Sequence, residues 1–193
     1  GLGTLIDVCE KAADPQYARI VSDYTVLPDH LESPVYELAK RITESNTTPY
    51  EKAFAIQNWL TRNCTYRLDV EDQPPDLDFV TNFLMNTKEG YCTYFASAMT
   101  VLSRIMGLPA RYVEGYLFRP GENGNAVLTG QDAHAWTEIY FSGFGWVTFD
   151  ATPSTSSHNG DPSGPDPTPT PTPPPGPETT PDPESSDPTP SPE

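Results

Sequence analysis

Three residues of this sequence have the side-chain types needed for nucleophilic catalysis: Cys92, His134 and Asp150. A cysteine thiolate is a strong nucleophile, and an imidazole transfers protons near neutral pH. A carboxylate can hold an imidazole in one orientation. Together the three groups would support acyl transfer through a thioester, provided that the fold brings them into contact.

Cys92 lies at the start of a predicted buried helix. Gly90 interrupts the preceding segment, and Gly107 followed by Pro109 ends the helical pattern. The apolar residues between these limits keep helical spacing: Phe95, Ala96, Met99, Leu102, Ile105 and Met106. Free N–H groups at a helix start lower the pKa of a thiol, which favours a nucleophile. A small buried thiol is the alternative interpretation of this position.

His134 is the better candidate for a base, because the folded segment offers only His30 besides it. In the predicted strand "DAHAWTEIYF", His134 shares one face with Trp136, whereas Ala133 and Ala135 lie on the other face. These small alanine side chains leave room for a helix to approach the strand.

Asp150 follows on the next predicted strand, "GWVTFDAT", where it could hold the second nitrogen of His134. Pairing centred on Ser142 would place the two residues opposite each other on one face. Pairing centred between Gly143 and Phe144 would place them on opposite faces. A bulge could produce either result, so the sequence leaves the register open.

Helices precede these strands. Ser33 is predicted as an N-cap with Pro34 at the first helical position, and Thr48 and Glu51 are predicted to form a capping box. "CTYRLDV" indicates a short strand, and a third helix from Phe79 would be capped by Asp76 or Asp78. Helices followed by an antiparallel sheet predict an α+β fold.

Composition divides the chain into three parts. Residues 1–32 are interpreted as a lead-in segment, 33–152 as the catalytic domain and 153–193 as a disordered linker rich in Pro and Thr, which holds 15 of the 23 prolines. The net charge of −16 makes nucleic acid an unexpected partner. The cysteines have no metal-site spacing, so no metal and no other cofactor is expected.

Two stretches, "GYCTYFASAMTVLSRIMGLPARYVEGY" and "AHAWTEIYFSGFGWVTFDATP", resemble the transglutaminase-like superfamily, specifically its bacterial and archaeal core domains. The upstream "YEKAFAIQNWL" and "TYRLD" extend the resemblance over about residues 33–153. It implies a papain-like α+β fold, with Cys92 as nucleophile, His134 as general base and Asp150 as the carboxylate that orients the histidine.

The resemblance also implies a reaction on protein or peptide amides. Resolution of the thioester by water would give a peptidase or amidase, and resolution by an amine would give a transglutaminase. Transglutaminases that cross-link proteins carry "GQCW" around the nucleophile, whereas this chain has "GYCT", which favours hydrolysis and leaves a non-catalytic binding module as the alternative. The oxyanion hole would use the Cys92 N–H, with Tyr66 or Tyr91 as candidates for the second donor. The resemblance further implies a position outside the cytoplasmic membrane, with any membrane anchor beyond the given residues.

Overall fold

The computed structural model describes residues 1–9, 14–70, 72–117 and 127–153, and for residues 7–9 only the backbone. The predicted linker, 153–193, lies outside the described residues except for Pro153. The helices are α1 Leu2–Cys9, α2 Tyr17–Tyr24, α3 Ser33–Thr43, α4 Pro49–Asn63, α5 Phe79–Thr81, which continues as the π-helix Asn82–Thr87, and α6 Cys92–Ile105. The strands are β1 Thr65–Tyr66, β2 Glu89–Gly90, β3 Ala110–Tyr116, β4 Ala133–Phe141 and β5 Gly145–Phe149, with a 3-10 turn at Gly130–Asp132. The predicted α+β class is confirmed.

Two of the helix starts agree with the sequence patterns, and one is shifted. The capping box of α4 is present: the Thr48 hydroxyl accepts a hydrogen bond from the Glu51 N–H, and the Glu51 carboxylate accepts one from the Thr48 N–H. Asp78 caps α5. The prediction of Ser33 as an N-cap is wrong by one residue, because the first turn of α3 closes on the carbonyl of Glu32.

The main sheet has three antiparallel strands in the order β3-β4-β5. Helix α6 packs on the face of β4 that carries Ala135 and Thr137. The Thr137 hydroxyl donates to the Ala96 carbonyl at 2.9 Å and lies 3.1 Å from the Thr100 hydroxyl. The predicted approach of a helix to the alanine face of this strand is therefore confirmed. The core between α3, α4, α6 and the sheet includes Val35, Ile56, Leu60, Phe95, Met99, Leu102, Ile139 and Val147.

The other face of the sheet is covered by the N-terminal segment. Tyr17 stacks on Tyr140, and Tyr24 packs edge-on against Trp146 with ring centroids 4.8 Å apart. The Tyr140 hydroxyl also donates to Asp14 at 2.9 Å. The predicted lead-in segment thus includes helices α1 and α2, and α2 stabilises the sheet from the side opposite α6.

A second, two-stranded sheet lies beside the start of α6. Strand β1 pairs in parallel with β2, with Tyr66 opposite Gly90, and the Arg67 N–H donates to the Gly90 carbonyl at 2.7 Å. Gly90 is in close contact with Tyr94 of α6: a Cβ at this position would lie 2.4 Å from the Tyr94 ring. The sequence indicated β1 but not its partner β2, which holds β1 against the first turn of α6.

Candidate active site

Cys92 is the first residue of α6 and is half-buried. Tyr91 precedes it with an extended backbone, so the chain enters the helix directly at the cysteine. At the other end Gly107 adopts a φ of 76°, and the N–H groups of Gly107 and Leu108 donate to the last helix carbonyls. The sequence prediction of a helix that begins at Cys92 and stops at Gly107 is confirmed.

His134 and Asp150 are in direct contact, with His134 Nε2 2.7 Å from Asp150 Oδ2. Strands β4 and β5 pair with Phe141 opposite Gly145, so the hairpin is centred on Gly143. Both registers considered from the sequence are therefore wrong. Continued by one pair, the ladder places Asp150 opposite Trp136, which leaves Asp150 on the same face as His134 but offset by two residues. Diagonal neighbours at this spacing are within reach of long side chains.

The second imidazole nitrogen of His134 is available for a hydrogen bond with the Cys92 thiol. The Cys92 side chain is hydrogen-bonded to the His134 side chain and to the backbone N–H groups of Ala135 and Thr93. Because Nε2 is occupied by Asp150, Nδ1 is the nitrogen available to the sulfur. Residues 133–136 of β4 pair with β3, whereas β5 pairs only with residues 137–141. The edge of residues 133–136 that faces away from β3 is therefore free for Cys92 to approach. The structure thus brings the three predicted residues into one hydrogen-bonded chain.

Electrostatics place the proton of the Cys92–His134 pair on the imidazole. The hydrogen bond from His134 lowers the pKa of the Cys92 thiol against the opposing effect of burial, and the two backbone N–H groups lower it further. Burial lowers the pKa of His134, but the hydrogen bonds to Asp150 and Cys92 and their negative charges outweigh it and raise the pKa to about 9. Both shifts favour a thiolate beside an imidazolium over a neutral thiol beside a neutral imidazole.

Two tyrosines from other elements stand near the thiol. Burial and then the negative charge of Cys92 raise the pKa of Tyr66 on β1. For Tyr112 on β3 burial and the contact with Glu114 are the larger causes of the raised pKa, and the charge of Cys92 adds to them. The Tyr112 hydroxyl donates to Glu114 Oε1 at 2.6 Å and is hydrogen-bonded to Thr93. Sequence analysis missed Tyr112, although its position on the strand that pairs with "DAHAWTEIY" could have indicated it.

An indole covers the catalytic histidine candidate from within β4. The rings of His134 and Trp136 stack with centroids 6.3 Å apart and an interplanar angle of 22°. Trp136 lies over Gly115, which pairs with His134 across the β3–β4 ladder, and a Cβ on Gly115 would be 2.7 Å from the indole. The indole therefore restricts the orientation of His134.

The remaining cysteine and histidine candidates with described side chains lie in unsuitable environments. Cys64 is buried at the end of α4, and burial raises the pKa of its thiol to about 11, so this sulfur stays protonated. His30 is exposed in the connection between α2 and α3. Within the described ranges no group of three or more His, Cys, Asp or Glu residues could hold a metal ion. The Cys92 site alone has a lowered thiol pKa among these positions.

Comparison with known proteins gives a consistent result for sequence and structure. The family model described as transglutaminase-like superfamily matches residues 36–151. The chain is 40% identical over 137 residues to the protein YebA of Bacillus subtilis and 35% identical over 133 residues to a protein-glutamine gamma-glutamyltransferase of Pseudomonas aeruginosa. These alignments cover 67% and 65% of this chain, but the chain spans only 19% of the length of either relative.

Among solved structures, the periplasmic domain of TgpA from Pseudomonas aeruginosa superposes with a TM-score of 0.60 and 30% identity. The match covers 72% of this chain and 50% of the TgpA chain. None of the described helices is both long enough and apolar enough to cross a membrane. The family model covers more than half of the chain and includes Cys92, His134 and Asp150. The chain therefore belongs to the transglutaminase-like superfamily.

Proposed function

We propose that this domain is a thiol acyltransferase or hydrolase acting on protein or peptide amides, with Cys92 as nucleophile, His134 as general acid and base, and Asp150 as the residue that orients His134. The observation that carries the proposal is the continuous hydrogen-bonded chain from the Cys92 thiol through the imidazole to Asp150. Membership of a superfamily with thiol acyl-transfer chemistry supports the same assignment.

The thiolate would attack the amide carbonyl carbon, and the electron pair of the C=O double bond would move to the oxygen. Collapse of this oxyanion would expel the amine, which takes a proton from the His134 imidazolium and leaves a thioester on Cys92. His134, now neutral, would remove a proton from the incoming water or amine. The water or amine would attack the thioester carbonyl carbon, and cleavage of the C–S bond would release the Cys92 thiolate. The Cys92–His134 pair returns to its starting protonation state after each cycle.

Both acceptors remain part of the proposal. The relative described as a protein-glutamine gamma-glutamyltransferase supports a glutamine side chain as acyl donor and an amine as acceptor. Tyr91 and Thr93, which flank Cys92 here, depart from the flanking residues of the cross-linking enzymes and favour water. We also infer an extracytoplasmic position, which the periplasmic location of the TgpA domain supports.

The experiment is to incubate the full chain with peptides that carry glutamine, with and without a fluorescent primary amine, and to search for an acyl adduct on Cys92 by mass spectrometry. We expect a thioester on Cys92 in the wild type and in Cys64→Ala, and none in Cys92→Ala. Ammonia release without amine incorporation would assign hydrolysis, and amine incorporation would assign transamidation. The enzymatic proposal fails if no adduct forms and iodoacetamide labels Cys92 no faster than Cys64 at neutral pH.

A further inference from the structure

We propose that an open groove lined by residues of α3 and α4, the α3–α4 groove, is the docking site for residues 161–167 of this chain, the segment "DPSGPDP". The segment lies outside the described residues. The inference goes beyond the proposed function and does not depend on it, because the groove contains none of the residues Cys92, His134 and Asp150. A docked segment would fix the direction in which the acidic end of the chain leaves the domain.

The lining of the α3–α4 groove is positively charged and partly apolar. The groove has a volume of about 360 Å³, with Arg41 and Ile42 contributed by α3 and Trp59 and Arg62 contributed by α4. Ile42 and Trp59 are partly buried against the core, whereas both arginines are exposed. The groove therefore presents two cations next to an indole and an aliphatic side chain.

The positive charge of the groove is not neutralised by the described residues. Neither Arg41 nor Arg62 forms an ion pair or a side-chain hydrogen bond within the described ranges. Glu37, one turn before Arg41 on α3, is paired with Lys40 at 3.2 Å. Residues 52–68, which include most of α4, contain no Asp or Glu. A carboxylate in the groove would therefore meet two unpaired guanidinium groups, although the chain as a whole carries a net charge of −16.

The described part of the chain ends beside this groove. The Thr61 hydroxyl on α4 donates to the carbonyl of Ala151 at 3.0 Å, close to the last described residue, Pro153. Thr61 directly precedes Arg62, and an α-helix with its side chains is only about 10–12 Å wide. The eight residues from Pro153 to Asp161 span up to about 26 Å when extended. The tether is therefore long enough for Asp161 to reach the groove.

Residues 161–167 complement the groove in charge and in side-chain type. Asp161 and Asp166 are the first two carboxylates after Pro153, and the segment contains no cation. Three prolines accompany these carboxylates, and proline-rich segments dock in grooves lined by aromatic side chains such as Trp59. Residues 178–193 carry further carboxylates. Their tether is longer, however, and the effective concentration of a tethered segment falls with tether length. The first acidic segment is therefore the favoured occupant.

Limited proteolysis of the full chain tests the docking. Endoproteinase Asp-N cleaves on the N-terminal side of aspartate, so docking should slow cleavage before Asp161 and leave cleavage before Asp187, further along the chain, unchanged. Mass spectrometry measures both rate constants in the same molecule. Comparison of their ratio between variants cancels the sequence preference and the salt sensitivity of the protease, because neither cleavage site is altered.

We expect Arg41→Gln combined with Arg62→Gln to raise the ratio of cleavage before Asp161 to cleavage before Asp187 by about three- to tenfold over wild type, the protection expected from two exposed ion pairs. Arg62→Gln alone should raise this ratio by a smaller factor. Arg19→Gln is its matched control, because it removes an exposed arginine on α2, and it should keep the wild-type ratio. About 1 M NaCl should bring the wild type to the ratio of the double variant, because salt screens exposed charges. Thermal unfolding verifies that the variants are folded.

The inference is overturned if the double variant and the wild type have the same ratio at low salt. It is also overturned if Arg19→Gln raises the ratio as much as Arg62→Gln, because total charge rather than the groove would then be responsible. A ratio that falls in the double variant would likewise overturn it, because a later segment of the chain would then be the protected one. Failure of the proposed function leaves these ratios unaffected, since Cys92 takes no part in the docking.

Discussion

His134 Nε2 lies 2.7 Å from Asp150 Oδ2, although the two residues are offset by two positions across the β4–β5 hairpin. Asp150 comes directly after the last residue of β5, and its second oxygen accepts a hydrogen bond from the Thr152 N–H at 2.9 Å. This backbone contact fixes the carboxylate, so one oxygen holds the imidazole while the other is held by the chain. Because Asp150 lies just beyond β5, the pairing of the strands does not restrict its side chain, which can therefore turn towards His134.

Asp150→Asn should reduce turnover by about 10²–10⁴-fold without unfolding the protein. The substitution keeps the shape of the side chain but removes the carboxylate whose hydrogen bond and negative charge contribute to the raised pKa of His134, about 9. We expect the His134 pKa to fall, as measured by NMR titration, and Cys92 alkylation at neutral pH to slow. Asp23→Asn, an exposed carboxylate on α2, is the control and should change neither. An unchanged His134 pKa in Asp150→Asn would contradict the orienting role.

The pH dependence should show two limits set by the Cys92–His134 pair. The lowered pKa of Cys92 means that alkylation by iodoacetamide should already be fast at pH values below the ordinary thiol pKa. The raised pKa of His134 means that the imidazolium is retained up to about pH 9 and is lost above it. Turnover of an amide, which needs this proton for the leaving amine, should therefore fall as the pH rises through about 9.

His134→Gln tests the same pair from the other side. Removal of the imidazole takes away the largest contribution that lowers the pKa of Cys92. The alkylation profile of this variant should move to higher pH, and turnover should be lost at every pH. Identical alkylation profiles for the variant and the wild type would show that His134 does not activate the thiol.

Gly90→Ala should impair the active site. A Cβ at this position would lie 2.4 Å from the Tyr94 ring, and Tyr94 is held by Phe79 and Phe83, so the start of α6 has to shift. We expect slower alkylation of Cys92 and a loss of about 1–3 kcal/mol in the free energy of unfolding, measured by urea titration. Gly130→Ala is the matched control, because its Cβ would meet nothing within 4 Å. Wild-type behaviour of Gly90→Ala as well as Gly130→Ala would exclude the tight contact between Gly90 and Tyr94.

Thr137→Val should destabilise the contact between α6 and β4. The Thr137 hydroxyl is buried, donates to the Ala96 carbonyl and lies 3.1 Å from the Thr100 hydroxyl. Loss of these bonds should cost about 1–2 kcal/mol in the free energy of unfolding. Thr100→Val combined with Thr137→Val should cost less than the sum of the single variants, because the two hydroxyls share one network. Strict additivity in urea unfolding would contradict that coupling.

Local patterns in the sequence determined the elements that need only local contacts. The capping box at Thr48 and Glu51, the helix that begins at Cys92 and its end at Gly107 follow from backbone hydrogen bonds satisfied within a few residues. Alternation along β4 correctly separated the alanine face from the face of His134. These features depend on neighbouring residues, so the chain alone was sufficient to predict them.

Tertiary structure decided the contacts that join separate elements. The hairpin is centred on Gly143, a register absent from the two considered, because the turn geometry and the packing of both faces fix the pairing together. The parallel pairing of Tyr66 with Gly90 joins segments 24 residues apart, and no local pattern encodes it. The sequence by itself supplied a cysteine, a histidine and an aspartate in a plausible order. Only the packed sheet and helix place His134 between the other two and bring Tyr66 near the thiol. These positions depend on distances between elements that are remote in the chain.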